Sequence, residues 1–138
     1  MGEGPERCVL VVDDDRDICE AMQTVLELEG YAVVTAADGA EALAWLRAGV
    51  RPCMIVLDLM MPKMNGVQFR EAQQQDPAIR AIPVVVLSGD GRVPTKAANL
   101  GVEGLRKPVE LEVLLEAVRR SCMLGGASAP GPTPDQLA

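Results

Sequence analysis

One stretch of the sequence decides the fold: CMIVLDLMMPKMNG, from Cys53 to Gly66. Its first half is a short apolar run, the pattern of a strand buried on both faces of a parallel sheet. The run stops at a carboxylate, Asp58. Pro62 and the Asn65-Gly66 pair then predict a turn, because proline fixes φ and glycine accepts positive φ. In open α/β sheets, ligands bind at the carboxyl ends of the strands, so Asp58 is either a functional acid at that edge or a simple cap of the next helix.

The composition describes one acidic domain with an aliphatic core. The chain has 138 residues, 49% of them hydrophobic, with a single Trp, Tyr and Phe. Its net charge of −7 argues against a nucleic-acid-binding surface. Neither a membrane-span pattern nor a signal-peptide pattern occurs, so we expect a cytoplasmic protein without membrane contact. The sequence contains no histidine, which removes His-based triads, His-containing metal sites and a phosphohistidine carrier.

The cysteines predict free thiols. Four of them lie far apart in the sequence without a C-x-x-C motif: Cys8, Cys19, Cys53 and Cys122. In a cytosolic protein this pattern indicates buried thiols, and a disulfide framework is not expected. Cys53 has no basic neighbour in the sequence, which indicates an inert thiol.

Strands alternate with helices five times along the chain. The predicted strands are Cys8–Val12, Tyr31–Ala36, Cys53–Asp58, Ile82–Leu87 and Gly104–Arg106. The first predicted helix lies between a cap at Asp15 and a stop at Gly30, and the others cover about Ala40–Ala48, Gly66–Gln75, Thr95–Leu100 and Glu110–Cys122. Parallel strands need such crossovers, so the pattern predicts a doubly wound α/β sheet.

The two ends of the chain differ in composition from the rest. Residues 1–6 form a leader with Gly and Pro, and residues 124–138 form a tail rich in Gly, Pro and Ala without apolar periodicity. We expect a flexible leader and a disordered tail, which leaves one domain at residues 7–123. The glutamine run at residues 73–75 indicates a solvated end of the third helix.

Functional side chains follow four of the predicted strands: Asp13 and Asp14, Asp58, Ser88 and Lys107. The carboxyl ends of parallel strands share one edge, so these residues can converge although they are distant in sequence. Three acids packed together raise one another's pKa unless a cation is present. Mg²⁺ answers that need, because it binds one or two carboxylates together with waters and phosphate oxygens.

Together these residues describe a carboxylate that accepts a phosphoryl group, with Asp58 as the candidate. Lys107 would place a positive charge on a phosphoryl oxygen, and Ser88 could donate a hydrogen bond to another. Taken singly, each has a simpler interpretation: Ser88 as a turn hydroxyl and Lys107 as a surface charge. For Asp15, a plain helix cap is favoured over a ligand. The conjunction carries the hypothesis.

These motifs resemble the receiver domain of bacterial two-component response regulators, in its stand-alone form. The matching stretches are Val11–Asp15, Ile55–Pro62 with Met64–Gly66, Val84–Gly89 and Arg106–Val109. The resemblance implies a flavodoxin-like fold, with a five-stranded parallel sheet in the order 2-1-3-4-5 and five helices. It implies phosphoryl transfer from a sensor histidine kinase, or from a phosphotransfer protein, to an aspartate.

On this resemblance Asp58 is the phosphoacceptor. The implied Mg²⁺ ligands are Asp14, Asp58, the backbone carbonyl of Met60 and, through water, Asp13. Two side chains would contact the phosphoryl oxygens, Ser88 and Lys107. The chain would catalyse only its own phosphorylation and dephosphorylation. No DNA-binding helix pair follows residue 124, so the output is expected to go through a downstream protein, or through a lost or separate domain, without direct DNA binding.

The sequence departs from the family pattern at the position three residues before the lysine. An aromatic residue usually stands there and rotates inward on activation, whereas this chain has Gly104, with Leu105 as the nearest bulky side chain. The interval from Ser88 to Lys107 is also short, and Pro94 interrupts it. The acceptor chemistry is unaffected by these departures, but the usual switch is not present.

Two alternatives stay open. A receiver-like interaction module, regulated without phosphate-driven switching, would fit the missing aromatic at Gly104. A Mg²⁺-dependent phosphatase or phosphotransferase with an aspartyl-phosphate intermediate is disfavoured. Such hydrolases carry a second Asp two residues after the nucleophile, where this chain has Met60.

Overall fold

The computed structural model describes residues 7–61, 63–89 and 102–128. In these ranges strands and helices alternate as predicted, except that the connection between the fourth and fifth strands falls largely outside them. The elements in these ranges are β1 (Cys8–Val12), α1 (Arg16–Leu28), β2 (Ala32–Ala36), α2 (Gly39–Arg47), β3 (Met54–Asp58), α3 (Gly66–Gln74), β4 (Val84–Ser88), β5 (Glu103–Arg106) and α4 (Leu111–Ser128). The predicted helix at Thr95–Leu100 lies outside the described residues.

The five strands form one parallel sheet in the order β2-β1-β3-β4-β5. This confirms the flavodoxin-like, doubly wound fold. The chain moves from β1 to β2 on one side and then crosses to β3 on the other side of β1. The carboxyl ends of β1 and β3 therefore flank the topological switch point, where sheets of this kind bind their ligands.

Alternating residues of the strands build two apolar layers, one on each face of the sheet. On one face, Val11 of β1 lies in a buried cluster with side chains of α1 and α4, including Leu114. On the other face, Leu10 belongs to a cluster with side chains of α2 and α3, including Phe69. The helices are held by this burial, which confirms the predicted aliphatic core.

Gly66 starts α3 in direct contact with the end of β3. A Cβ at this position would lie 2.8 Å from the carbonyl oxygen of Asp58 and 2.8 Å from the Cα of Leu59. Asn65 and Gln68 close a capping box at the same helix end. The turn after Asp58 is thus fixed by a close approach that only glycine permits.

Cys53 and Cys122 form a disulfide, with their Cα atoms 4.9 Å apart. The prediction of a free, inert thiol at Cys53 is therefore wrong, and so is the prediction for Cys122. Cys53 directly precedes β3, and Cys122 belongs to the cluster that packs α4 against the same face of the sheet. Tertiary packing brings them together across 69 residues. Cys8 and Cys19 take part in no disulfide.

The last helix is longer than predicted. α4 continues to Ser128, although the sequence placed its end near Cys122 and assigned residues from 124 onward to a disordered tail. Glycine lowers helix propensity by about 1 kcal/mol per residue, but the helix is already nucleated by its packed first turns, so further residues can propagate it. None of the described helices is long and apolar enough to cross a membrane.

Gln73 is fully buried, at 0% exposure. Its amide nitrogen donates to the carbonyl oxygens of Ile79 at 2.9 Å and Ile82 at 3.1 Å. Its amide oxygen accepts from Arg70 at 2.7 Å. The predicted solvated end of the helix is wrong for this residue and right for the exposed Gln74 and Gln75 that follow it. Gln73 joins α3 to the connection that leads into β4.

We expect Gln73→Leu to lower the free energy of unfolding by about 1–3 kcal/mol, because the carbonyls of Ile79 and Ile82 lose their buried donor. Urea denaturation followed by circular dichroism measures the change. Gln75→Leu at an exposed position is the matched control, with an expected change within about 0.5 kcal/mol. Equal effects of the two substitutions would contradict the structural role of Gln73.

Candidate functional site

Acids from two adjacent strands converge at the carboxyl edge of the sheet. Asp13 and Asp14 directly follow β1, and Asp58 is the last residue of β3. One carboxylate oxygen from each lies within 4.8 Å of the other two. Asp13 and Asp58 are buried, and Asp14 is exposed. The predicted convergence of the three acids is confirmed, and their spacing suits a single cation with oxygen ligands.

Lys107 brings a positive charge to the buried pair of acids. It follows β5, and its Nζ lies 3.0 Å from Asp13 Oδ2 and 3.3 Å from Asp58 Oδ2. Burial lowers the pKa of Lys107, but the hydrogen bonds and charges of Asp13 and Asp58 outweigh burial and raise the pKa above its usual value. Lys107 is therefore a fixed ammonium group between two carboxylates.

Asp58 has a raised pKa. Burial is the larger cause and the negative charge of Asp13 the second, and together they raise the pKa of Asp58 from 3.8 to about 6. The backbone N–H of Met60 donates to Asp58 Oδ1 at 3.2 Å, and with Lys107 it opposes the rise. The positive charge of Lys107 does not fully neutralise the negative charges of Asp13 and Asp58. The site therefore favours the binding of a further cation.

Asp13 is held by two hydrogen bonds and keeps one carboxylate oxygen directed into the site. Its backbone N–H donates to Ala36 at 3.0 Å, and its Oδ1 accepts from the backbone N–H of Asp15 at 2.9 Å. Its buried Oδ2 lies 3.0 Å from the Lys107 ammonium and has no further partner among the described residues. An oxygen in this state fits a metal ion or a metal-bound water.

Ser88 lies at the same edge of the sheet as Asp58, and Met60 follows Asp58 by two residues. Ser88 is the last residue of β4 and is buried, and its carbonyl accepts from the backbone N–H of Lys107 at 2.9 Å. Asp58 lies opposite Leu87 in the register of β3 and β4, so Ser88 stands one position further along the same edge. The Met60 side chain is 67% exposed at the rim of the site. Their contacts with a phosphoryl group or an ion stay predictions.

Gly104 lies within β5, opposite Val86 of β4. The neighbouring Leu105 packs against the apolar layer formed with α1 and α4. The Leu105 side chain is thus packed against the core, and Gly104 itself has no side chain to rotate. Much of the interval from Ser88 to Lys107, including Pro94, lies outside the described residues.

Cys19 is a site residue that the sequence did not reveal. Its Sγ donates to the backbone carbonyl of Asp13 at 3.2 Å, beneath the acid cluster. Burial, with the charge of Asp13, raises the pKa of Cys19 to about 11, so the group remains a neutral thiol. The available signal was its place in the first turns of the helix that directly follows the two acids.

The family model of the response regulator receiver domain matches residues 9–119. The chain therefore belongs to the response regulator receiver domain family. Among curated proteins, it is similar to response regulator MprA of Mycobacterium sp. (strain KMS), with 39% identity over 114 residues, 80% of this chain and 48% of that protein. The chain thus spans about half the length of the curated relatives it matches.

Solved structures agree with this assignment. The chain is similar to chemotaxis response regulator CheY4 of Vibrio cholerae, with a TM-score of 0.76 and 32% identity over 85% of this chain and 99% of that one. A response regulator receiver protein from Pseudomonas putida gives a TM-score of 0.78 and 31% identity, over 86% and 99% of the two chains. The sheet order and the helical layers of this chain are those of the family.

Proposed function

We propose that this chain accepts a phosphoryl group on Asp58 from the histidine of a sensor kinase or a phosphotransfer protein, with Mg²⁺ as cofactor. The signal then passes to a downstream protein through surface contacts. The single observation that carries this proposal is the buried carboxylate of Asp58, which faces both an ammonium group at 3.3 Å and a second buried acid. The single ammonium group only partly neutralises the two acids, which suits an acceptor that works with a further cation.

The acids of this edge fit Mg²⁺. Asp14 and Asp58 would hold the ion directly with the backbone carbonyl of Met60, and Asp13 would act through water. The incomplete hydrogen bonding of Asp13 Oδ2 and the raised pKa of Asp58 support this set of ligands. When bound, Mg²⁺ supplies the positive charge that neutralises the carboxylates and the oxygens of the incoming phosphoryl group.

The transfer itself needs few protein groups. A carboxylate oxygen of Asp58 forms a bond to phosphorus while the bond from phosphorus to the donor nitrogen breaks, which gives an acyl phosphate on Asp58. Lys107 is already beside this carboxylate, so its ammonium group can pair with a phosphoryl oxygen without movement of the backbone. Ser88, at the end of the adjacent strand, would donate its hydroxyl to another phosphoryl oxygen.

Acetyl phosphate with Mg²⁺ tests this proposal on the full chain. Intact-mass spectrometry should detect the addition of one phosphoryl group, and removal of Mg²⁺ with a chelator should abolish the addition. A known receiver domain, treated in parallel, serves as the control. The proposal fails if this chain stays unmodified under conditions that label the control.

Gly104 favours a second candidate function, an interaction module whose surface does not respond to phosphorylation. Beryllofluoride, which mimics the acyl phosphate, separates the two in NMR spectra recorded with Mg²⁺. Shifts confined to residues around Asp58 would support the interaction module. Shifts that extend along residues 90–106 would support a phosphate-driven switch.

We expect the Mg²⁺ affinity to fall as the pH is lowered through about 6, where Asp58 gains a proton that the ion must displace. Below that pH, each further unit should cost up to about tenfold in apparent affinity if one proton is displaced. The stability of the ion-free chain depends on pH in the opposite direction. The pKa of Asp58 is higher in the folded than in the unfolded chain, so protonation of Asp58 stabilises the fold and its ionised carboxylate destabilises the fold above pH 6.

Isothermal titration calorimetry at several pH values measures this dependence. The Asp58→Asn variant, which cannot take up the proton, should bind Mg²⁺ more weakly and with a flatter pH profile. Equal affinity of the wild-type chain on both sides of pH 6 would show that Asp58 is not a proton-linked ligand.

A further inference from the structure

Cys19 contacts the loop that carries the first two acids through two of its own groups. Its backbone N–H donates to the carbonyl of Asp15 at 3.0 Å, as part of the first turn of α1. Its thiol donates to the carbonyl of Asp13 at 3.2 Å. One residue therefore fixes two carbonyls of the short connection between β1 and α1.

The carbonyl of Asp13 occupies a special place in this connection. It belongs to the peptide group that joins Asp13 to Asp14, so its direction governs the backbone of both acids. The N–H of Asp13 still pairs with β2 through Ala36, but its carbonyl turns to a side chain, the thiol of Cys19. A buried carbonyl without a donor is costly, so loss of the thiol would favour rotation of this peptide group.

We propose that Cys19 is a positioning residue for the metal-binding acids: its thiol holds the Asp13–Asp14 peptide group and thereby aims both carboxylates at the ion. The inference rests on the proposed Mg²⁺-dependent function. A thiol suits the position because Cys19, at 7% exposure, belongs to the apolar layer under the site. It supplies one hydrogen-bond donor there in a small and largely apolar group.

The experiment measures the Mg²⁺ affinity of the full chain by isothermal titration calorimetry in three variants. Cys19→Val fills the space without a donor, Cys19→Ala removes donor and volume, and Cys19→Ser keeps a donor. Partners of metal ligands typically contribute about 10–100-fold in affinity, and a thiol is a weak donor, so Cys19→Val and Cys19→Ala should weaken binding by about 3–10-fold. Cys19→Ser should bind within about twofold of the wild type, since its hydroxyl can replace the thiol as donor.

Cys8→Ala is the matched control, because Cys8 is a cysteine at the opposite end of β1 and forms no disulfide. It should leave the Mg²⁺ affinity unchanged. Thermal unfolding shows whether each variant is folded at the titration temperature, and Cys19→Val provides the donor-free test if Cys19→Ala is too unstable.

Unchanged affinity in Cys19→Val would overturn this inference, and so would equally weak binding by Cys19→Ser, because both results remove the hydrogen bond from the explanation. Either result leaves the proposed function standing as long as the wild-type chain binds Mg²⁺. Failure of the wild-type chain to bind Mg²⁺ would overturn the proposed function and this inference together.

Discussion

Asp58→Asn should leave the chain unlabelled by acetyl phosphate and make its ion-free fold more stable. An amide cannot form the acyl phosphate, so the phosphorylated mass should be absent. The amide is also uncharged, and it replaces a buried carboxylate that the charge of Asp13 repels. Because the pKa of Asp58 rises from 3.8 to about 6, its ionised carboxylate destabilises the fold at neutral pH. Asp58→Asn should therefore unfold with a free energy about 1–3 kcal/mol higher than the wild-type chain.

Two measurements check this expectation, intact-mass spectrometry for labelling and urea denaturation without Mg²⁺ for stability. Asp15→Asn is the matched control, since it makes the same chemical change two residues after Asp13. Asp15 accepts hydrogen bonds at the start of α1, and asparagine caps helices equally well. This control should remain labelled. Persistent labelling of Asp58→Asn would place the acceptor at another residue.

Gly66→Ala should lower the free energy of unfolding by about 1–3 kcal/mol, the cost of forcing an extra methyl group into a packed site. The new Cβ would meet two backbone atoms at 2.8 Å, the carbonyl oxygen of Asp58 and the Cα of Leu59, and neither can swing aside as a flexible side chain would. In an open helix position, the same change would stabilise the chain by up to about 1 kcal/mol. The sign of the effect therefore tests the close approach.

Gly89→Ala is the control for this prediction, because a Cβ at Gly89 would meet no atom of the described residues within 4 Å. Urea denaturation of the two variants should separate them clearly. Since Gly66 lies against Asp58, the proposed acceptor, Gly66→Ala should also weaken Mg²⁺ binding. A stable Gly66→Ala variant with wild-type affinity would show that α3 does not fix the end of β3.

The sequence predicted the fold and the meeting of the acids because both depend on local patterns. Five apolar runs separated by helical segments allow a parallel sheet, and parallel strands align their carboxyl ends. Asp13, Asp58 and Lys107 each lie at the end of such a run or directly after it. The position of the strand therefore fixes the edge of the sheet at which each of them lies. The contacts of Lys107 with the two acids agree with that rule.

Other features depend on how a helix packs on the sheet, and a linear pattern does not contain that information. In the sequence Gln73 resembles its exposed neighbours in the glutamine run, but its side chain is buried and donates hydrogen bonds to the carbonyls of Ile79 and Ile82. In the sequence Cys19 is an ordinary helix residue, and only the packing of α1 beneath the Asp13 loop brings its thiol to the carbonyl of Asp13. The start of β3 and the last helix likewise meet only in three dimensions, so the pairing of their cysteines was missed.

That pairing turns residues 53–122 into a covalent ring. The ring contains Asp58, Ser88 and Lys107, while Asp13 and Asp14 lie on the exocyclic N-terminal arm. A single proteolytic cut anywhere inside the ring therefore opens it without releasing a fragment. Limited proteolysis in that region should yield a nicked chain that migrates as one covalent species in non-reducing gels and separates into two pieces once a thiol reductant is added.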